Sequence, residues 1–490
     1  DFGNWFWGIP ILILIGGGVV GCATARELAR YNLSVALLEK TEDICNGQSK
    51  ANTAIVHGGY DAAPGSNKAM FNVRGNTMFE RITAELSVPF SRNGSLVVSF
   101  EESGIPALLA LKQRGEANGV KGLSILGREA LLAREPNLNP AAQAALDVPS
   151  GGIVCPYELT IAYAENAAQN GVTFFRDAPV TAVSRNADGT FLVSSPAGAF
   201  VARAVVNCAG VHSAELNNMV SEEKHSITAR RGEYYIVDKA YRDAFHSTIF
   251  QLPTAMGKGV LIAPTVDGTI LIGPTADDIP DKDDSRTTAE GLARVLSRAK
   301  RSWPALPARA FITTYAGVRA HAETDDFILG EPADAPLFFN ALGVESPGLS
   351  AAPALGEFLA QSVAERLGAK PNPAFDPIRP GIPKFRDMTD AEREAAIARD
   401  PEYAKIVCRC ELVTEAEIRA SIRRPVGART VDGIKRRTRA GMGRCQAGFC
   451  LPRTLELLAE ELAVSPLSIT KCGGESRYLE SNLFSGKAGE

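Results

Sequence analysis

The chain has 490 residues, of which 45% are hydrophobic and 22% charged, with a net charge of −4. That is the balance of a soluble globular protein too long for one ordinary core, and it argues against nucleic acid as the main partner. Nine cysteines, an odd number with four clustered near one end, fit a reducing, cytoplasmic setting better than a disulfide framework.

The aromatic heptapeptide Asp1–Trp7 reads either as an appended remnant or as a docking patch. The apolar run Ile9–Ile15 that follows is too short to cross a bilayer, and its Ile11–Ile15 part is expected to be a buried parallel strand. Next come Gly16-Gly-Gly-Val-Val-Gly21, a helical stretch Cys22–Tyr31 and a strand Ser34–Glu39. Together they make a β-α-β unit of about thirty residues. The glycines fit G-x-G-x-x-G: Gly16 for the tight turn, Gly18 for close approach of backbone to a pyrophosphate, Gly21 for close helix–strand packing. Glu39 stands where a carboxylate would bind a ribose diol. The signal is for a dinucleotide, FAD or NAD.

Residues 105–135 read as polar and helical. A helix Thr160–Asn170 precedes a strand Val172–Arg176, and Phe191–Ser195 with Phe200–Val206 are expected to form a hairpin across Gly198. Strand patterns at Glu233–Val237, Ser247–Gln251, Val260–Pro264 and Thr269–Ile272, with a turn at Asp267-Gly268, predict an antiparallel sheet distinct from the parallel domain. A strand Leu337–Ala341 leads through a glycine loop to a helix Ala354–Leu367. Pro371–Pro383 has five prolines in thirteen residues and reads as a linker. The expected division is a dinucleotide-binding domain from 9–90, 151–225 and 311–370, a substrate domain from 91–150 and 226–310, a linker at 371–400 and a cysteine module at 401–475.

That module holds Cys408-Arg-Cys410 and, thirty-four residues later, Cys445-Gln-Ala-Gly-Phe-Cys450. Two close pairs of soft ligands suit a thiolate-bound metal centre, either an iron–sulfur cluster or structural zinc. Cys22, Cys45, Cys155 and Cys208 are scattered and read as structural, and Cys472 lies outside the pattern. Between residues 419 and 453, ten arginines and lysines accompany one acid, Asp432. This basic stretch could tune a cluster, form a solvated face or dock an acidic partner.

Two further segments carry a resemblance. Val205–Ala214, ending its strand at Ala209-Gly210, resembles the second flavin-contacting strand of FAD-dependent oxidoreductases of the D-amino-acid-oxidase-like superfamily. Ala341–Pro353 resembles the loop and helix start that this superfamily places under the flavin pyrimidine. The resemblance implies FAD rather than NAD, and an α/β fold: a Rossmann-like FAD-binding domain, an antiparallel-sheet substrate domain and a small, mainly helical C-terminal iron–sulfur domain. It implies cofactor contacts at Gly16, Gly18, Val20, Gly21, Glu39, Lys40, Ser49, Asn52, His57, Val180, Ala209, Gly210, Gly343, Glu345, Ser346, Pro347, Gly348 and Leu349.

On the substrate side, Ser49–Tyr60 with Pro64–Ala69, Arg231-Gly-Glu-Tyr-Tyr235, Gly317-Val-Arg319 and Asp325–Ile328 are similar to regions of L-2-hydroxyglutarate oxidases and glycerol-3-phosphate dehydrogenases. Those families place the histidine-glycine segment against the flavin ring. Oxidising an alcohol requires a base for the hydroxyl proton, and His57 is the candidate. An anionic substrate requires a cation, with Arg319 the first choice and Arg231 the second, and Tyr234 a candidate contact. The bland readings are a packing role for His57, an ion pair of Arg319 with Glu323 or Asp325, a core role for one of Tyr234 and Tyr235, and structural roles for His212 and His321. Where the families have proline after the arginine of Gly-x-Arg, this chain has Ala320-His321.

The cysteine module resembles the bacterioferritin-associated-ferredoxin-like [2Fe–2S] domain, which implies Cys408, Cys410, Cys445 and Cys450 as the ligands of one cluster. The whole pattern resembles anaerobic-type glycerol-3-phosphate dehydrogenases. It implies an enzyme that oxidises a small anionic secondary alcohol, glycerol 3-phosphate first, with FAD passing electrons through the cluster to a partner or respiratory acceptor. L-2-hydroxyglutarate oxidation, amino-acid or opine oxidation, and a non-catalytic electron-transfer subunit are the rivals. A hetero-oligomer with a second redox subunit or a homodimer is expected, with peripheral membrane association through a partner left open.

Overall fold

The computed structural model describes residues 12–252 and 259–480; the heptapeptide Asp1–Trp7 and residues 8–11 lie outside them. Leu12–Ile15 has no polar face and is buried throughout, as a strand covered on both faces must be: Leu12 and Leu14 meet helices, and Ile13 and Ile15 meet the small antiparallel sheet that holds Val183, Phe191 and Val193. It pairs in parallel with Val35–Leu38 and Ala204–Asn207. The sheet runs Ile328–Gly330, Phe338–Leu342, Ala204–Asn207, Leu12–Ile15, Val35–Leu38, Thr173–Phe175, with only the Ile328–Gly330 edge antiparallel. Helix Val19–Leu28 packs against helices Pro156–Gln169 and Gly348–Leu367.

Two expectations change here. The run Phe200–Val206 is not one hairpin arm: Gly198–Ala202 pairs with Phe191–Ser195, and Ala204–Asn207 leaves to join the parallel sheet. The switch follows burial, because Ala204–Asn207 is enclosed on both faces while Gly198–Ala202 is mostly exposed. Residues 105–135 are also not continuously helical. Helix Ile105–Ala117 stops before Gly119 and Gly122, both at positive φ, and Ser124–Gly127 becomes a strand against Ala144–Val148 before helix Arg128–Arg134.

Among the described residues the second sheet has nine strands. Ile227–Val237 is longer than its sequence pattern suggested and pairs along its length with Phe311–Ala322. Ser95–Ser99, Ser124–Gly127 and Ala144–Val148 join the same sheet through the parallel pairing of Ser95–Ser99 with Thr248–Gln251. The Asp267-Gly268 turn links the antiparallel strands Leu261–Pro264 and Ile270–Gly273.

The C-terminal module packs helices Glu415–Arg423, Val431–Thr438 and Leu451–Leu462 around Ile418, Ile434, Leu457 and Leu458. Its first helix starts with a capping box between Thr414 and Glu417. The proline-rich segment before it lies along the body: Arg379 is buried, with Nε 2.7 Å from Glu165 Oε2 and Nη1 donating to the Leu86 carbonyl. Helix Asp390–Arg399 follows.

Several of the acids that answer the basic stretch are on the body. Asp43, with no exposed surface, receives Arg437 Nη1 at 2.7 Å and Nη2 at 2.8 Å, and Arg436 Nη2 at 2.9 Å. Arg439 reaches Asp267 at 2.7 Å and Glu411 at 2.8 Å, and Arg424 reaches Glu165 at 2.6 Å. For these residues the stretch is therefore an ion-paired seam and not a solvated face. Burial opposes ionisation of Asp43, yet Arg437 and Arg436 hold its carboxyl down to about 2.

Replacing Asp43 with alanine leaves two buried guanidiniums unpaired, which costs about 3–5 kcal/mol. Denaturant unfolding should show the module's transition moving earlier by that amount. The folded-state pKa lies below the ordinary value of 3.8, so the Asp43 contribution is complete above that value and is lost as pH falls toward about 2. Stability measured across that window should lose this acid-labile component in Asp43→Asn.

Candidate active site

A cavity of about 630 Å³ opens at the carboxyl ends of the parallel strands and is closed on its far side by the second sheet. This is the crevice where open α/β sheets bind ligands. Gly16, Gly18, Val20, Glu39, Lys40, Ser49, Asn52, His57, Val180, Ala209, Gly210 and Glu345–Leu349 all line it, with Tyr234 and Arg319. Gly21, Gly343 and Arg231 are not among its lining residues.

The glycine loop has the geometry a pyrophosphate requires. Gly16 has φ +108°, and a Cβ there would lie 2.4 Å from the Cys208 carbonyl oxygen. A Cβ on Gly21 would lie 2.0 Å from the Gly16 carbonyl oxygen, so Gly21 acts by packing the helix onto the loop and not by touching a ligand. No side chain caps the helix at Gly18, so its first backbone N–H groups face the cavity end of the loop; that of Val19 donates to Ser49 Oγ at 2.8 Å. Glu39 accepts from the Gly17 N–H at 2.7 Å and from the Thr41 N–H and hydroxyl at 3.0 and 2.9 Å. Burial raises its pKa, and these donors pull the other way.

At the other end the long strand pair builds one wall. Tyr234 stands opposite Tyr315, Gly232 opposite Gly317 and Arg230 opposite Arg319. Cross-strand partners share a face, and the two tyrosine rings stack at 4.7 Å. Tyr315 hydroxyl donates to the Asn52 carbonyl at 2.7 Å, tying this wall to the loop below. Arg231 falls on the opposite face because side chains alternate along a strand. It is held there by Asp284 at 3.1 Å and Glu233 at 3.5 Å, and that geometry removes it from the cavity.

Arg319 donates from Nη2 to the Thr275 carbonyl at 2.6 Å, while its Nε is buried without a hydrogen-bond partner. Glu323 instead pairs with His225, and Asp325 with Lys68. Gln48 Oε1, also on the cavity wall, is a second buried polar atom without a partner. His57 is fixed through its backbone N–H to Ser350 Oγ at 2.7 Å; its Nε2 lies 3.5 Å from Ser346 Oγ and its ring 5.7 Å from Phe250. A cavity rich in apolar wall and glycine backbone, with Tyr234 and Arg319 among its lining residues, fits a bound dinucleotide with a polar substrate at one end.

His321, Asp325 and Glu345 bring three ligand atoms within 4.8 Å of one another. Lys68 Nζ already bridges both carboxylates at 3.0 Å, and His321 Nδ1 is 2.9 Å from Glu345. An ammonium thus supplies the positive charge, and the cluster anchors the loop that carries Glu345.

In the module, Cys410 and Cys445 place their sulfurs 3.6 Å apart, and Cys408 and Cys450 are hydrogen-bonded to each other. The Cys450 bond is the largest cause lowering the Cys408 thiol to about 6, helped by the Gly441 and Glu411 backbone N–H groups. A tetrahedral zinc site would bring all four sulfurs to within about 4 Å of one another. Among the described residues, however, no three of these thiols lie mutually within 4.8 Å. Two separate pairs fit a two-iron cluster, one pair for each iron. Gly443 is needed here, since a Cβ on it would lie 2.2 Å from that of Cys410.

Several lining residues carried no local sequence signal. Asn46, Gln48 and Lys50 lie in the irregular loop after the second strand, and Lys282, Asp283 and Ser285 come from a distant segment. Lys40 meets Asp283 at 2.6 Å and His212 at 3.3 Å, a contact between segments that no spacing rule reports. The Gly47 punctuation of the 46–50 loop was the one available cue.

Residues 12–362 match the FAD dependent oxidoreductase family, and residues 406–460 match the BFD-like [2Fe-2S] binding domain. A glycerol 3-phosphate dehydrogenase from Caloramator mitchellensis is 46% identical over 461 residues, covering 94% of this chain and 95% of that protein. A glycerol 3-phosphate oxidase from Mycoplasma pneumoniae is 33% identical over 373 residues, covering 74% of this chain and 96% of that protein. The structure of the dithionite-reduced L-alpha-glycerophosphate oxidase from Mycoplasma pneumoniae with FAD bound superposes with a TM-score of 0.71 at 31% identity, covering 75% of this chain and 98% of that one.

Purified protein should contain iron and acid-labile sulfide in equal amounts, as the [2Fe-2S] match requires. Gly443→Ala should lower both together while bound flavin is retained, because the added methyl displaces Cys410 and not the glycine loop. Zinc without sulfide would overturn the assignment.

Proposed function

We infer the reaction from one premise: the chain belongs to the FAD dependent oxidoreductase family and carries a BFD-like [2Fe-2S] binding domain. We propose that it is a glycerol-3-phosphate dehydrogenase whose electrons leave through the C-terminal module. The observation that carries the proposal is the pairing, in one cavity, of His57 with Arg319. The Caloramator mitchellensis relative supports the substrate, since its similarity spans the flavin part and the cysteine module alike.

When bound, FAD accepts a hydride from the alcohol carbon, and a [2Fe–2S] cluster carries single electrons. The chain's own residues do the rest. Arg319 holds the substrate anion, its guanidinium being fixed on the cavity wall by the Thr275 carbonyl. Tyr234, stacked and buried, supplies a rigid wall beside it; burial raises its pKa, so it stays a neutral hydroxyl. His57, set by Ser350 and facing Ser346, takes the hydroxyl proton as the C–H bond breaks. The 346–349 loop at the helix Gly348–Leu367 places backbone N–H groups where negative charge develops. A module bearing a one-electron carrier points to a protein partner or respiratory acceptor, and among the described residues no helix is long and apolar enough to cross a membrane.

Anaerobic addition of glycerol 3-phosphate should bleach the flavin absorbance, whereas L-2-hydroxyglutarate and proline should not. Bleaching by one of those two alone would transfer the assignment to that substrate. His57→Asn should slow the reduction about a hundred- to ten-thousand-fold. Arg319→Ala should weaken substrate binding about ten- to a hundred-fold with less effect on the rate at saturation.

A further inference from the structure

The thiolate centre is polarised. Cys408 and Cys450 are buried, Cys445 is partly covered and Cys410 is exposed, so the Cys410–Cys445 side faces solvent and the Cys408–Cys450 side faces the protein. Around the outward side the surface departs from the rest of the module. Phe449, next to Cys450, is 85% exposed, the most exposed of the large hydrophobic side chains among the described residues. It sits on a loop that holds Gln446 and Ala447 at φ +48° and +71°, a conformation that non-glycine residues adopt only under constraint.

Arg419, Arg423, Arg424, Arg436, Arg437, Arg439 and Arg453 are each held by a carboxylate, whereas Arg429 is exposed with no ion pair among the described residues. Arg409, between the first two cysteines, is exposed and has no ion pair among the described residues. Arg444, before the third, is 71% exposed with its nearest carboxylate, Asp238, at 3.9 Å. An exposed aromatic ring next to one cysteine, with Arg409 next to two others and Arg444, held by only one long ion pair, next to Cys445, has the composition of a small transient interface. Its positive rim would steer a negatively charged partner.

We propose that Phe449, Arg409 and Arg444 form the docking surface for an acidic one-electron carrier protein, which collects electrons on the Cys410–Cys445 side. This rests on the dehydrogenase reading for the origin of the electrons. Oxidation of one alcohol to its ketone breaks one C–H and one O–H bond and releases two electrons and two protons. Two oxidised carriers, docking in turn, each leave with one electron, and the protons pass to solvent.

The test uses the full-chain holoenzyme reduced with dithionite, so it does not depend on the substrate. An acidic rubredoxin serves as the negatively charged acceptor and a basic cytochrome c as its charge-reversed control. Rubredoxin reduction by the wild type should slow as salt rises, and oxidised rubredoxin should bind in calorimetric titration. The double variant Arg409→Glu with Arg444→Glu should weaken binding and slow rubredoxin reduction about ten-fold or more, and should speed cytochrome c reduction. Phe449→Ser should weaken rubredoxin binding about ten-fold at unchanged salt dependence. Iron, sulfide and substrate-driven flavin bleaching should stay at wild-type levels in all variants. If the double variant does not assemble its cluster, Arg444→Glu alone, on the outer side of the loop, should show the same direction. Unchanged rubredoxin binding and rate in these variants would overturn the proposal. So would a Phe449→Ser protein that changes only its oligomeric state in sedimentation, which would make the ring a contact between copies of this chain. Failure of glycerol 3-phosphate to bleach the flavin would instead sink the substrate assignment and leave this test standing.

Discussion

Asp43 lies with no exposed surface between the guanidiniums of Arg436 and Arg437, and the relation of the two redox-bearing parts depends on that contact. The carboxylate belongs to the loop after the second parallel strand, the same loop that carries Glu39 at one end and Ser49 at the other. The arginines belong to helix Val431–Thr438 of the module, which also packs on helix Pro156–Gln169. That helix in turn touches the 48–50 turn. A displacement of the module is therefore felt where the dinucleotide phosphates would sit. An apolar seam of similar area could supply equal or greater stability, since buried ion pairs lose much of their attraction to desolvation. What bidentate arginine–carboxylate geometry adds is direction: it fixes which helix face meets which loop, and so fixes the spacing between a flavin and a cluster.

The second sheet imposes a different constraint. The pairing of Ile227–Val237 with Phe311–Ala322 decides by parity which side chains can meet a substrate. Tyr234, Tyr315 and Arg319 share one face, and Arg231 with Glu233 is given to the other, where Arg231 meets Asp284 and Glu233 accepts from the Thr288 hydroxyl at the start of helix Ala289–Ser302. A one-residue slip of register would exchange these roles completely. The hydroxyl of Tyr315 on the Asn52 carbonyl pins that register to the flavin loop, so the substrate wall and the cofactor loop move as one unit.

Much of this was legible in the chain because short-range chemistry encodes it. The glycine loop, Glu39, the buried strands and the paired cysteines all depend on neighbours within a few residues, and they emerge from spacing alone. The parity that separates Arg231 from Arg319 was not legible: the 230–235 pattern shows alternation, but which face meets the cavity depends on a partner strand some eighty residues away. The split of Phe200–Val206 was hidden for a related reason, since both halves are apolar and only the parallel sheet's burial distinguishes them. The basic stretch was the strongest signal that local logic left open. Three of its acids, Asp43, Glu165 and Asp267, lie more than 170 residues upstream, so a solvated face and a docked seam look identical in sequence.

The ion-paired seam also explains how the module can divide its arginines between two tasks. Those facing the body are neutralised by buried carboxylates and contribute little to the external field, while Arg409 and Arg444 remain at the solvent-facing thiols. A chain with a net charge of −4 can thus present a locally positive rim without becoming a general polyanion binder, because Arg436, Arg437 and Arg439 are already neutralised by buried carboxylates. The same arrangement separates entry from exit. On the proposed reading, the arginine for the substrate anion, Arg319, lies on the cavity wall, and the electron outlet lies on the outer face of a module held by Asp43. A small anionic substrate and an acidic carrier protein would both be drawn by positive charge without competing: one would need a guanidinium reached through the cavity, the other an exposed surface too large to enter it.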